Sequence, residues 1–413
     1  MLIVLSGIGL IYLFSATRNM SNFTMLFSKQ LFAVFFGFFC MFLFSKLDYL
    51  SYFLFAKYLY WLGIGLLLFV LIFGVSVRGA KSWLSVGIFS FQPAEFARFA
   101  TIMMFCVFLE KNNRFRQTLT NFFYALLWMF PSLVLILMQP DFGAVLAFFP
   151  VLFGVLYVIG VRKTYLFATF FLIFLTGFIP FYKTWCMLYF QECLPYLNFW
   201  FLLLCFSLTA GLIYFAFKKI FSRVNLVIFI YIFFVGLVAL GLGQLTDTFL
   251  KDYQRNRIMV FLNPEIDKLG AGYNVIQSKI AVGSGGAFGK GIQEGTQSQL
   301  GFLPERHTDF IFSVIAEEGG FLVAGIVLIL FLAICFRMFK IALTARDRFG
   351  STLSTAFLIM FAFFVILNIG FVLGLLPVTG VPLPFVSYGG SSFVMNSIII
   401  GIMLNIYSKR HAN

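Results

Sequence analysis

The sequence predicts an all-α protein that crosses a membrane many times. Of its 413 residues, 62% are hydrophobic and only 11% are charged, whereas a soluble domain carries about 25% charged residues. Apolar runs of roughly 16 to 24 residues recur along the chain, separated by short charged turns, and this pattern indicates spanning helices. The alternating pattern of a membrane barrel is absent. We therefore expect a single integral membrane domain over residues 1–413.

The apolar runs predict about twelve spans. Clusters of Lys and Arg lie in the turns at alternate ends of these runs, and such clusters mark the cytoplasmic side. Both termini are therefore predicted to be cytoplasmic, and the net charge of +14 is assigned to helix ends rather than to nucleic acid binding. The predicted spans are residues 2–17, 28–45, 54–74, 94–110, 121–138, 143–160, 165–181, 198–217, 225–244, 309–336, 352–375 and 388–407.

One long segment, residues 245–308, is polar, basic and rich in glycine. Structureless segments of this length are uncommon in compact proteins and are often functional. We predict that it is a large extracytoplasmic loop that carries the chemistry. The segments Gly74–Pro93 and Pro377–Ser387 are predicted on the same side. The prolines and glycines of Pro377–Ser387 would require a buried or water-lined position at membrane depth.

Several ionisable residues lie in or beside the predicted spans, where such groups are costly and are functional candidates by default. Glu95 falls in the first turn of a helix and Arg98 follows on the same face. Asp141 is equally consistent with a helix N-cap and with a site residue. Asp309 is a further candidate. Glu317 and Glu318 are adjacent, so we expect them on different faces, with one paired inside the bundle.

The glycine run Gly283–Gly291 lacks both the Gly-Lys-Ser/Thr ending of a phosphate-binding loop and the spacing of a dinucleotide-binding turn. A backbone nest for an anion and a flexible hinge remain open. For His307, a cap or packing role is favoured over catalysis. The six cysteines show no metal-ligand spacing. Cys186 and Cys193 flank a predicted outer loop, where a disulfide is an option.

Four long motifs resemble the SEDS family of membrane proteins (shape, elongation, division and sporulation). The longest begins at YQRNRIMVFLNPEIDKLGAGYNVIQSKIAVGSGG and continues to FLPERHTDFIF. The others are FSFQPAEFARFA, QPDFGAVL and LPVTGVPLPFVSYGGSS, in the family's order. The forms GTQSQL and FLPERHTDFIF are closer to the family's elongation branch than to its division branch. The similarity covers nearly the whole chain.

The resemblance implies a peptidoglycan glycosyltransferase that polymerises lipid II at the outer face of a bacterial plasma membrane. The family's catalytic acid, in its NP-x-x-D-x-x-G-x-GY segment, corresponds to Asp267. The functional Glu of the QP-x-EFAK motif corresponds to Glu95, and the QPD aspartate to Asp141. Arg98 stands where the family has Lys, which keeps the charge but changes its geometry and hydration.

The family usually has ten spans, so residues 165–217 are interpreted as an inserted two-helix hairpin. An even number of added spans leaves the 245–308 segment outside. The resemblance also implies a class B penicillin-binding protein as partner, together with the elongation machinery. The pairing surface is not apparent from the sequence.

A mechanism can be assembled from these residues. Asp267 would accept the proton of an acceptor hydroxyl as general base, while cations neutralise the diphosphates of the lipid substrates. The candidate cations are Arg78, Lys81, Arg98, Arg255, Arg257, Lys290 and Arg306. A divalent cation, Mg or Mn, is an open option. The alternative from another class is a lipid II flippase, since many spans and an outward cavity fit a transporter too.

Overall fold

The computed structural model describes residues 1–77, 80–86, 89–111, 119–189, 201–209, 211, 226–250, 252–267 and 270–411. The chain divides into two compact units. The first unit contains Met1–Gly160 and Asn274–Asn413, and the second contains Val161–Tyr273.

Helices dominate the described residues. In the first part of the chain they are α1 Leu2–Thr17, α2 Phe23–Lys46, α3 Tyr49–Phe73, α4 Pro93–Lys111, α5 Leu119–Met138, α6 Phe142–Leu146 and α7 Phe148–Ile159. They continue as α8 Lys163–Tyr189, α9 Leu226–Phe249, α10 Asp252–Leu262, α11 Ala271–Ser284, α12 Thr296–Gln299, α13 Ile311–Thr344, α14 Arg348–Val372 and α15 Gly390–Ser408. Residues 201–209 are also helical. Short 3-10 helices occupy Pro264–Asp267 and Lys409–His411.

Seven of the described helical segments are long and apolar enough to cross a membrane, counting α6 and α7 as one segment. Shorter apolar helices occur at Leu2–Thr17, Tyr124–Met138 and Phe233–Thr248. The all-α, multi-pass membrane class predicted from the sequence is thereby confirmed. The number of twelve spans and the inserted hairpin at 165–217 stay predictions, because part of that hairpin lies outside the described residues.

The outer faces of the helices agree with a membrane environment. Helix α2 leaves Phe35, Phe39 and Phe42 at least 60% exposed, although a soluble protein would bury such side chains. On the opposite side of α2, Gly37 lies so close to the ring of Phe393 on α15 that a methyl group at position 37 would overlap it. The apolar exterior of α2 therefore suits lipid, and small residues provide the close contacts inside.

Helix α13 is broken near its start. Its 34 residues would extend about 51 Å as one straight helix, well beyond the hydrocarbon thickness of a bilayer. At Gly320 the backbone adopts φ 70° and ψ −171°, which is not helical. This break separates the short segment that carries Glu317 and Glu318 from the long apolar remainder.

One small sheet adds to the predicted all-α fold. Strands β1 Val75–Val77, β2 Ala80–Val86 and β3 Phe89–Phe91 form a three-stranded antiparallel sheet in the order β1-β2-β3. Apolar and polar residues alternate along β3, as expected for a strand with two different faces, but not along β2, where Lys81 and Ser82 are adjacent. The sheet leads through Gln92 into helix α4.

The segment 245–308, predicted to be an extracytoplasmic loop, contains short helices, and its position outside the membrane stays a prediction. Helix α9 continues to Phe249, and α10, the 3-10 turn, α11 and α12 follow. The glycine and charge content of the segment suggested irregular chain. Buried residues nevertheless recur every three positions along α11, at Val275, Ser278 and Ala281, which are at most 5% exposed. The segment is a chain of short helices.

Candidate functional site

Glu95 and Arg98 form a buried ion pair at the start of α4. They are 8% and 5% exposed, and an Arg98 guanidinium nitrogen donates to Glu95 Oε2. The spacing of three residues places both on one face of the helix. The guanidinium also lies 4.4 Å from the ring centroid of Phe364 on α14, which is a cation–π distance. The pair is therefore held from two helices.

Asp141 is joined to the same region through Gln92. Gln92 Nε2 donates to Asp141 Oδ2 at 2.7 Å, and Asp141 Oδ1 accepts from the backbone N–H of Ala144 at 3.0 Å. Asp141 is therefore the N-cap of α6, which settles the first of its two predicted roles. Gln92, which sequence reasoning did not single out, connects the two predicted site residues.

Asp267 lies in the second unit, at the end of the 3-10 helix Pro264–Asp267, and is partly buried. Two glycines allow the chain to turn around it. A methyl group at Gly270 would overlap the Asp267 carboxylate, and one at Gly272 would overlap the main-chain carbonyls of Pro264 and Asp267. The motif therefore has glycine at positions 270 and 272 because a side chain at either position would overlap atoms of the Pro264–Asp267 turn.

Lys290 contacts a buried carboxylate. Its Nζ lies 3.0 Å from Glu317 Oε1 and 2.8 Å from Thr296 Oγ1. The backbone N–H groups of Gln297 and Ser298 complete the Glu317 site, each donating at 2.9 Å. These two N–H groups lie outside the glycine run Gly283–Gly291, so the anion-binding nest predicted for that run stays a prediction. A diphosphate at Lys290 would compete with this ion pair.

Glu318 is also enclosed, but by neutral hydrogen-bond donors, and Glu317 is the glutamate of the two that has an ion-pair partner. It is 2% exposed and accepts from Ser15 Oγ at 2.6 Å, Ser298 Oγ at 3.0 Å and Gln299 Nε2 at 2.8 Å. Ser298 therefore binds Glu317 through its backbone and Glu318 through its side chain. Glu317 and Glu318 both link the segment around α12 to helix α13. Glu318 also links this segment to α1 through Ser15.

Backbone contacts with α13 account for the glycines of the run Gly283–Gly291. Lys290 and Gly291 donate their N–H groups to the carbonyls of Glu317 and Glu318 at 3.0 Å. A methyl group at Gly285 or Gly289 would overlap the carbonyl of Ala316 or Glu318. Gly289 also has φ 80°, where glycine is favoured. These glycines permit close packing of two chain segments.

Arg306 closes the end of α1. It is 4% exposed, and its Nε donates to the carbonyl of Ala16 at 2.8 Å. A cation at the C-terminal end of a helix complements the helix dipole. Burial lowers the pKa of Arg306, while the nearby Glu318 charge opposes that shift.

The remaining predicted cations are distributed over both units. Arg255, on α10, donates to Asp247 Oδ1 at 3.1 Å and to the Asp247 carbonyl at 3.2 Å. Arg257 is partly buried on the same helix, and Lys81 is exposed on β2. Arg78 and Cys193 lie outside the described residues, so the predicted role of Arg78 and the Cys186–Cys193 disulfide stay predictions.

The divalent cation has no ready site in the part of the chain that the structure describes. No group of three or more His, Cys, Asp or Glu side chains is close enough there to hold a metal ion. The paired acids of the first unit already have donors: Arg98 for Glu95, and Gln92 with the Ala144 N–H for Asp141. These residues do not fit a metal as they stand.

The chain matches the FtsW/RodA/SpoVE family, described as "Cell cycle protein", over residues 1–197 and 197–412. It is 37% identical to the peptidoglycan glycosyltransferase MrdB of Escherichia coli K12, over 86% of this chain and 78% of the relative. It is 34% identical to the peptidoglycan glycosyltransferase RodA of Treponema pallidum, over 84% of this chain and 81% of the relative.

A solved structure gives the same result for the fold. The match is a chain from a study of polymerisation and crosslinking by a peptidoglycan synthase complex, with a TM-score of 0.68 and 27% identity. It covers 100% of this chain and 98% of that chain. From these matches and the motifs around Glu95, Asp141 and Asp267, the chain belongs to the FtsW/RodA/SpoVE family, which is the SEDS family.

Proposed function

We propose that this chain is a peptidoglycan glycosyltransferase that polymerises lipid II during cell elongation. The observation that carries the proposal is its 37% identity to the peptidoglycan glycosyltransferase MrdB over 86% of its length. The Glu95–Arg98 pair, the Gln92–Asp141 contact and the turn around Asp267 are consistent with it, because they give defined geometry to the motif residues. The site is proposed to face outward across a bacterial plasma membrane, with both termini cytoplasmic.

In the proposed reaction, a sugar hydroxyl of the acceptor attacks the anomeric carbon of the donor. The new carbon–oxygen bond forms as the bond to the lipid diphosphate breaks, and the diphosphate leaves with the bonding electrons. Asp267 takes the proton of the attacking hydroxyl. One carboxylate suffices because a diphosphate leaves without protonation, unlike the leaving groups for which glycosidases need a second carboxyl group.

The leaving diphosphate needs positive charge, which arginine supplies well through paired N–H donors. Arg255 and Arg257 are proposed for this task because they lie on α10, directly before the Pro264–Asp267 turn. Glu95, Arg98 and Asp141 are proposed to bind substrate. Lys81, Lys290 and Arg306 remain proposals for substrate binding. For Lys290 and Arg306, the contacts with Glu317 and Ala16 give each a structural role as well.

A class B penicillin-binding protein is the proposed partner, in support of which a related chain was solved in a peptidoglycan synthase complex. Such a partner would cross-link the strands that this protein makes. The proposed extra hairpin at 165–217 is a candidate surface for further contacts, since it adds apolar area such as Phe170 and Phe174 on α8, each more than half exposed.

The deciding experiment uses the full chain in lipid vesicles with fluorescent lipid II. Glycan polymer, which a muramidase digests, is the expected product. A parallel arm measures movement of the labelled lipid between leaflets. Transport without any polymer would reject the glycosyltransferase and favour the flippase alternative.

A further inference from the structure

We propose that Lys183, Gln244 and Arg255 form a binding site for the phosphate of a lipid-borne diphosphate, and that Asp247 positions this site. The choice of a diphosphate lipid as ligand rests on the proposed function. The described side chains come from three helices of the second unit: α8, α9 and α10. The sequence alone did not identify Lys183, Gln244 or Asp247 as candidate site residues.

The centre of the cluster is the carboxylate of Asp247, which is 8% exposed. Lys183 Nζ lies 2.9 Å from its Oδ2 and Arg255 Nη2 lies 3.1 Å from its Oδ1. Arg255 Nη2 also donates to the Asp247 main-chain carbonyl at 3.2 Å. Residue 247 therefore fixes the guanidinium in position and orientation while it shares its charge with Lys183.

The charges do not cancel. Among the described side chains of the cluster, two cations face one carboxylate, which leaves one net positive charge. The side chains of Lys183 and Arg255 are only 12% and 24% exposed. An unbalanced charge on side chains this little exposed is unfavourable unless a counter-ion binds beside them. An anion from solution or from a lipid headgroup would supply the missing charge.

Hydrogen-bond donors are also in excess. Lys183 Nζ donates to Gln244 Oε1 at 2.5 Å, which orients the amide of Gln244. The amide nitrogen of Gln244 is then buried without a hydrogen-bond partner among the described residues. An unpaired buried donor is unfavourable by itself. Phosphate oxygens accept hydrogen bonds from ammonium, guanidinium and amide groups, so a phosphate would satisfy both the charge and the donors.

The position suits a lipid headgroup. Lys183 and Asp247 follow the predicted spans 165–181 and 225–244, at the ends that the charge pattern assigns to the outer face. Arg255 follows on α10, eight residues after Asp247 and twelve before Asp267. An apolar tail could remain beside α8 and α9 while its diphosphate reaches the cluster.

The experiment measures binding of labelled undecaprenyl diphosphate to the full chain in phosphatidylcholine nanodiscs. Gln244→Leu is the most informative variant, because it leaves both ion pairs of Asp247 in place and removes only the Gln244 amide, that is, the unpaired donor and the oxygen that accepts from Lys183. We expect Gln244→Leu, Lys183→Met and Asp247→Asn each to weaken binding roughly five- to tenfold. Lys409→Met, which removes another lysine–aspartate pair with Asp48 at 2.7 Å, should bind like the wild type.

A double variant separates positioning from folding. If Asp247 acts through Arg255, Asp247→Asn should weaken binding no further once Arg255→Ala is present. Asp247→Glu should recover most of the affinity. Wild-type affinity in Gln244→Leu and Lys183→Met would overturn the proposal, as would equal competition by phosphatidylglycerol, which would indicate a general phospholipid site.

A polymerisation assay on the same samples distinguishes the two proposals. If the wild type makes polymer but the variants bind the diphosphate normally, only the phosphate site is rejected. If the wild type binds the diphosphate through these residues but makes no polymer, the proposed function fails and the site stands as a diphosphate-lipid site.

Discussion

Two sets of acids in this molecule differ in their surroundings. Glu317 and Glu318, at 0% and 2% exposure, each accept hydrogen bonds from several donors of the same chain. Asp267 is only partly buried, and two glycines keep space around it. Glu317 and Glu318 therefore hold chain segments together, whereas the more accessible carboxylate of Asp267 suits proton transfer.

Asp267→Asn should have the largest effect on activity. Removal of a general base lowers rates by about 100- to 10,000-fold, so lipid II polymerisation by the purified protein should fall by at least about 100-fold. The thermal midpoint should stay unchanged. Glu265→Gln, in the same 3-10 turn, is the matched control and should polymerise at the wild-type rate.

Glu317→Ala should have the largest effect on stability. It leaves Lys290 and two backbone N–H groups without their acceptor, and breaking a buried pair costs about 3 to 5 kcal/mol. The apparent melting temperature in detergent should fall by several degrees, with activity falling in proportion to the folded fraction. An unchanged melting curve together with lost activity would mean that this acid, too, takes part in the chemistry.

Ser298→Ala should have a smaller effect on stability. The variant keeps the backbone N–H bond to Glu317 but loses the hydroxyl bond to Glu318, and hydrogen bonds to charged groups contribute about 1.5 to 3 kcal/mol. Melting curves beside Ser85→Ala, at an exposed position on β2, test this. Equal melting temperatures would show that Glu318 does not depend on this donor.

Gly270→Ala should lower polymerisation by roughly tenfold without loss of fold. The added methyl group would displace the Asp267 carboxylate, and small misplacements of catalytic groups are costly. Gly283→Ala is the control, since a methyl group there meets no atom within 4 Å. A larger drop for Gly283→Ala than for Gly270→Ala would remove the steric explanation.

The membrane class could be predicted from sequence because hydropathy is a local property of each apolar run. The N-cap role of Asp141 could be predicted for the same reason, because aspartate is favoured at the position just before a helix begins. The helices α10 and α11 were missed because their glycine and charge content outweighed a weak apolar period. Their stability depends on packing that a single sequence does not display.

The contacts of the charged residues were beyond sequence reasoning. Lys290 and Glu317 are 27 residues apart, and Lys183 and Asp247 are 64 residues apart, so each pairing depends on how distant segments pack. One signal was available: Lys183 and Asp247 are ionisable residues at the ends of apolar helices, the same rule that selected Glu95. The spacing of the glycines at 285 and 289 gave no indication of their partners on α13.

Whether Asp267 is the general base is tested most directly by measuring both binding and polymerisation of one batch of labelled lipid II by the Asp267→Asn variant. If Asp267 acts as the base, the variant should bind lipid II with wild-type affinity and form no glycan polymer. Polymer growth at the wild-type rate by a folded Asp267→Asn protein would contradict the account.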